Sequence, residues 1–179
     1  MRRLTSQGLL LAGFLYPFAV YFGRDSVTPR HLALLLGAIW LLRCVFAPPG
    51  RRLVCVPALV FCAVVASIDT PALLRWYPVL VNAAMLVTFA WSLKFGPPLI
   101  ERLARLREPD LPPQAIAYTR KVTQVWVMFF LLNGGIAAAL TLAAPLAWWT
   151  LYNGVISYVL MALLFIGEWL VRSRLRGAA

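Results

Sequence analysis

Charged residues punctuate this chain instead of alternating with apolar ones, and they divide it into long apolar runs. Leu4 to Gly23 lies between Arg3 and Arg24. His31 to Phe46 follows, interrupted by Arg43 near its end. Leu53 to Ile68 sits between Arg52 and Asp69, and Trp76 to Leu93 between Arg75 and Lys94. Val122 to Gly167 then runs 46 residues without a charge. A helix rises about 1.5 Å per residue and a bilayer core is about 30 Å thick, so a span needs about 20 apolar residues. The last run is therefore too long for one span. Pro145 breaks it, because proline cannot donate a helical hydrogen bond. The pattern predicts an all-α membrane protein of six transmembrane helices, over about 4–23, 31–46, 53–68, 76–93, 122–143 and 147–171. They form a single domain over 1–179, with a loop at 94–121.

That loop is the one sizeable hydrophilic segment. Pro97 and Pro98 open it, and Pro109, Pro112 and Pro113 close its first part. Between them Leu99, Ile100, Leu103 and Leu106 recur at helical spacing, with Glu101, Arg102, Arg105 and Arg107 on the other side. A short amphipathic helix over Leu99 to Arg107, lying on the membrane surface, is expected, with Glu101 and Arg105 paired at i, i+4. The arginines Arg102, Arg105 and Arg107 make this helix a candidate docking site. A surface-lying linker is the alternative.

Composition agrees with lipid as the main solvent. Of the 179 residues, 62% are apolar and 13% charged, against about 45–50% and 25% in a soluble domain. The net charge of +11 does not point to nucleic acid, because the basic residues sit at the ends of apolar runs. They fix orientation instead. With the N-terminus inside, fourteen of the 17 lysines and arginines fall on the inner side and only Arg24, Arg30 and Arg75 fall outside. That bias gives both termini to the cytoplasm, with attraction to the anionic inner leaflet. Bulky residues after Met1-Arg2-Arg3 leave no small-x-small cleavage pattern, so an uncleaved first span is expected. Cys44, Cys55 and Cys62 lie in or beside apolar runs and read as small buried hydrophobes.

Polar residues inside the apolar runs carry what chemistry there is. Asn82, Asn133 and Asn153 form a candidate polar seam, either gluing helices together or lining a ligand path. Gly134, Gly135 and Ala137 to Ala139 allow close helix approach. Glu168 and Arg172, four apart near the inner end of span six, form a candidate interfacial pair. A proton relay or partner anchor is the other reading of Glu168. On the outer side Arg24, Asp25, Arg30, His31, Asp69 and Arg75 form a candidate headgroup-binding cluster. No nucleophile motif, metal-ligand spacing or glycine-rich phosphate loop accompanies them. No catalytic residue, metal or other cofactor is therefore expected.

Asp69-Thr70, Trp76-Tyr77-Pro78, Pro98-Leu99-Ile100-Glu101-Arg102, Leu111-Pro112, Trp126, Phe129-Phe130 and Trp148-Trp149 occur in an order that resembles the intracellular septation protein A family of bacterial inner-membrane proteins. A closer resemblance is to a sister group of membrane proteins. It rests on Tyr77-Pro78-Val79-Leu80-Val81-Asn82, Tyr118-Thr119-Arg120-Lys121-Val122-Thr123 and Trp149-Thr150-Leu151-Tyr152-Asn153-Gly154. Members of that group often accompany gene clusters for aryl polyene or xanthomonadin-type pigments. The chain departs from the septation proteins at Tyr152-Asn153, where they carry Phe-Lys, and at Ala137, where they carry Asn. The resemblance implies an accessory or scaffold protein supporting acyl-chain biosynthesis or envelope organisation, with an acyl carrier protein or envelope-synthesis proteins as partners. A small transporter or flippase for a lipid-like molecule and a membrane-bound enzyme stay open, as does homo-oligomerisation.

Overall fold

The computed structural model describes residues 17–22, 28–46, 55–68, 70–106 and 108–177. Among them every regular element is helical. The chain comprises two compact units, Met1–Tyr77 and Pro78–Ala179.

In the first unit, residues 17–22 are helical. Helix α1 spans Pro29–Phe46, α2 Val56–Ile68 and the one-turn α3 Pro71–Leu74. Pro29 and Pro71 stand in the first turn, where a missing N–H costs no hydrogen bond. The Thr28 carbonyl accepts the His31 and Leu32 amides, and the Thr28 hydroxyl lies 2.7 Å from His31 Nδ1. Helices α1 and α2 pack together. Gly37 permits the approach, since a Cβ there would stand 3.4 Å from that of Cys62. Ala33, Cys62, Val65 and Leu74 are buried.

In the second unit, α4 ends at Lys94 (Tyr77–Lys94), α5 is Leu99–Arg105 and α6 is Pro113–Ala143. Helix α7 (Leu146–Leu151) continues through a π-helical turn at Tyr152–Ile156 into α8 (Ser157–Gly177). The buried stripe of α6 is Thr119, Val122, Thr123, Trp126, Phe130, Asn133, Ala137 and Thr141. These recur every three or four residues and so form one face. Between them Val125, Met128, Leu131, Leu132 and Ile136 are exposed. This arrangement inverts that of a soluble helix: amide and hydroxyl groups inside, leucine outside. The threonines tolerate burial because Thr123 and Thr141 donate to the carbonyls of Thr119 and Ala137, both at 2.8 Å. Phe89 of α4 packs on Val122, Trp126 and Phe130, and the Phe165 ring of α8 stands 4.7 Å from that of Trp126. The three long helices therefore share one aromatic core.

Among the described residues, three helices are long and apolar enough to cross a membrane: Ala72–Lys94, Pro113–Ala143 and Leu146–Ser173. The expected break at Pro145 is present. The expected loop 94–121 is shorter than its composition suggests, because α6 begins at Pro113, nine residues before the apolar run. Pro112 and Pro113 open that helix as well as stopping the loop: a proline at the first helical position needs no partner for its nitrogen.

Candidate functional site: a closed polar seam

Asn82 on α4 and Asn133 on α6 meet inside the second unit. Asn133 Nδ2 donates to Asn82 Oδ1 at 2.9 Å and to Ser157 Oγ at 3.2 Å. Asn133 Oδ1 accepts from the Tyr152 hydroxyl at 2.8 Å. Asn82 Nδ2 turns back and donates to the Pro78 carbonyl at 2.8 Å. All four side chains are buried. Asn133 uses both amide protons and its oxygen within the protein, as a buried amide in an apolar medium requires.

The π turn assembles this cluster. In an α-helix, residues five apart stand about 140° apart round the axis, so Tyr152 and Ser157 would face different neighbours. Here the Ser157 amide bonds the Tyr152 carbonyl, the i→i+5 pattern. That wider turn brings both side chains onto Asn133. Gly134 completes the fit: a Cβ there would lie only 3.0 Å from Asn82 Cβ. Asn153, expected in the same seam, is buried but donates to the Trp149 carbonyl at 2.9 Å. Beside it Trp149 Nε1 donates to Thr141 Oγ1 at 3.1 Å, tying α7 to α6 across the hairpin. Sequence reasoning found the two amides and missed Tyr152 and Ser157.

Helix α5 is shorter than expected, and its carboxylate is turned inward. It ends at Arg105, and Arg107 lies outside the described residues. Leu99 and Ile100 pack on the aromatic core, whereas Leu103 and Leu106 are exposed, 53% and 80%. Glu101, expected among the outward charges, is buried. Its partner explains this: Arg105 grips Glu101 Oε1 with Nε at 2.9 Å and Nη2 at 2.8 Å, so the carboxylate enters the interior paired. Ser92 Oγ accepts the first amide of α5, Leu99 N–H, at 3.0 Å. Arg102 Nε and Nη2 cap the carbonyls of Pro97 and Phe95, at 2.7 and 3.3 Å. Gly96 makes this turn with φ +100°, a conformation other residues resist, and Arg102 Nη2 passes 3.2 Å from where its Cβ would be.

The pair Glu168 and Arg172 stands 3.6 Å apart, and the Tyr118 hydroxyl donates to the Glu168 carbonyl at 3.2 Å. Of the outer cluster, Arg30, His31 and Arg75 are described, with Arg75 half-buried. Arg24, Asp25 and Asp69 lie outside the described residues. Among the described residues no group of three or more His, Cys, Asp or Glu side chains is placed to hold a metal ion. Compared with protein-family models, with curated proteins and with solved structures, the chain matches none.

Proposed function

We propose that this is a multi-pass accessory protein of a bacterial inner membrane, threaded six times with both ends in the cytoplasm. It serves as a rigid, non-catalytic platform for acyl-chain or envelope biosynthesis. The carrying observation is the closed seam. The buried amides of α4 and α6 use their hydrogen bonds on one another, on Tyr152 and on Ser157. A transport path needs polar groups that can release one partner for a passing ligand. A reaction centre needs a nucleophile or titrating group directed at a substrate. Asn, Tyr and Ser bound in a mutual network fit a packing device. The inverted burial on α6, polar inside and leucine outside, supports lipid as the surrounding medium.

The partner side of the reading is tested by affinity purification of the full chain from mild detergent, with bound proteins identified. Stoichiometric recovery of acyl-chain or envelope-synthesis proteins, an acidic acyl carrier protein first among them, is expected. Recovery of the chain without any partner, after cross-linking in intact cells, contradicts the platform role.

A further inference from the structure

Helix α4 carries an exposed apolar groove at its Lys94 end. Val87, Ala90, Trp91, Lys94 and Phe95 line a shallow, open hollow of about 360 Å³. The Trp91 and Phe95 rings lie 4.3 Å apart and form its wall. Three cations converge just below it on consecutive residues of the main chain. Arg120 Nη2 bonds the Leu93 carbonyl at 3.3 Å, Lys94 follows, and Arg102 Nη2 bonds the Phe95 carbonyl at 3.3 Å. All three side chains are exposed.

Helix capping accounts for only part of this charge. A helix C-terminus carries about half a negative charge, and three full positive charges surround this one. A guanidinium has five N–H donors. Arg120 gives one contact to the Leu93 carbonyl, and Arg102 gives two, to Pro97 and Phe95, so donors remain on both. The ion pair of the adjoining helix, Glu101 with Arg105, is closed on itself. The lysine is drawn over the Phe95 ring, 5.5 Å from its centre, at the mouth of the groove. A shallow apolar face with two close aromatic rings, ending in a surplus of positive charge, matches one kind of molecule in a bilayer: an acyl chain attached to an anionic headgroup.

We propose that this groove is a binding site for one anionic phospholipid of the inner leaflet, its chain along Val87, Ala90 and Trp91 and its phosphate at Lys94, Arg102 and Arg120. The inference rests on the membrane reading above. Lys94 is the residue to test, because Arg102 and Arg120 also cap the main chain. Purified full-length protein in mild detergent is exchanged into equimolar phosphatidylglycerol and phosphatidylcholine, and retained lipid is counted by native mass spectrometry. Wild type is expected to keep one phosphatidylglycerol in preference to phosphatidylcholine. Lys94→Gln should reduce that preference about fivefold, the factor one interfacial lysine contributes toward an anionic lipid. Ala90→Phe, which fills the groove and leaves every cation in place, should lower retention of the lipid while circular dichroism stays unchanged. Equal retention of the two lipids by wild type overturns the site, as does unchanged preference in both variants. A chain that stays in solution without detergent removes the membrane reading itself, so the two failures are distinct.

Discussion

Replacing Asn133 by leucine removes the centre of the seam while keeping the branched shape and the number of heavy atoms. The structure gives Asn133 three hydrogen bonds, to Asn82, Ser157 and Tyr152. Side-chain hydrogen bonds between membrane helices average about 0.6 kcal/mol and reach about 1.7 kcal/mol. Three of them give about 2 kcal/mol at the average and about 5 kcal/mol at the upper limit. The upper half of that range applies if Asn82 Oδ1 and the Tyr152 hydroxyl stay buried without new partners. Asn82→Leu alone removes one of the three bonds, and the double variant removes no more than Asn133→Leu does at that pair. A double-mutant cycle should therefore give a coupling of about 0.6–1.7 kcal/mol between positions 82 and 133. Reversible unfolding in bicelles or mixed micelles, followed by tryptophan fluorescence, supplies the four stabilities. Trp126 and Trp149 are buried and report on this unit. A loss below about 0.5 kcal/mol for Asn133→Leu, or additive single changes, would refute the seam as a stabilising network.

Gly134→Ala should destabilise by about 1–3 kcal/mol through overpacking against Asn82, whereas Gly135→Ala, with nothing within 4 Å of the added methyl, should be neutral or slightly stabilising; the same unfolding assay separates them. Ser92→Ala leaves the Leu99 amide without its acceptor, so hydrogen exchange at the start of α5 should accelerate while α6 keeps its protection. Tyr152→Phe should cost about 1 kcal/mol, the loss of one bond to Asn133 with the ring kept, and less than Asn133→Leu in the same assay.

The amides of the seam were legible because Asn82 and Asn133 interrupt otherwise apolar runs, and a bare amide in hydrocarbon is costly. Their other partners were not. Tyr152 and Ser157 fall on different faces of any regular helix, and only the π turn brings them together. The same limit explains Asn153, which polarity alone groups with the seam and which bonds the Trp149 carbonyl instead. Glu101 was misplaced because apolar spacing ranks a carboxylate as outward, while the Arg105 fork lets it turn in. Pro113 shows punctuation read in one direction only: it ended the loop as expected, and it also began a 31-residue helix. The hairpin at Pro145 was legible because its cause is local: a missing N–H in a run too long for one span.

The threading of the chain bears most directly on its reading as a membrane platform. Single cysteines at positions 26, 71, 104 and 176, in a background lacking Cys44, Cys55 and Cys62, can be probed in intact cells with a membrane-impermeant thiol reagent. Labelling at 26 and 71 before the membrane is opened, and at 104 and 176 only after it, is the result expected of six spans with both ends inside. Labelling of 176 from outside contradicts the even number of spans, and labelling of 104 from outside contradicts the orientation of the loop and its cations.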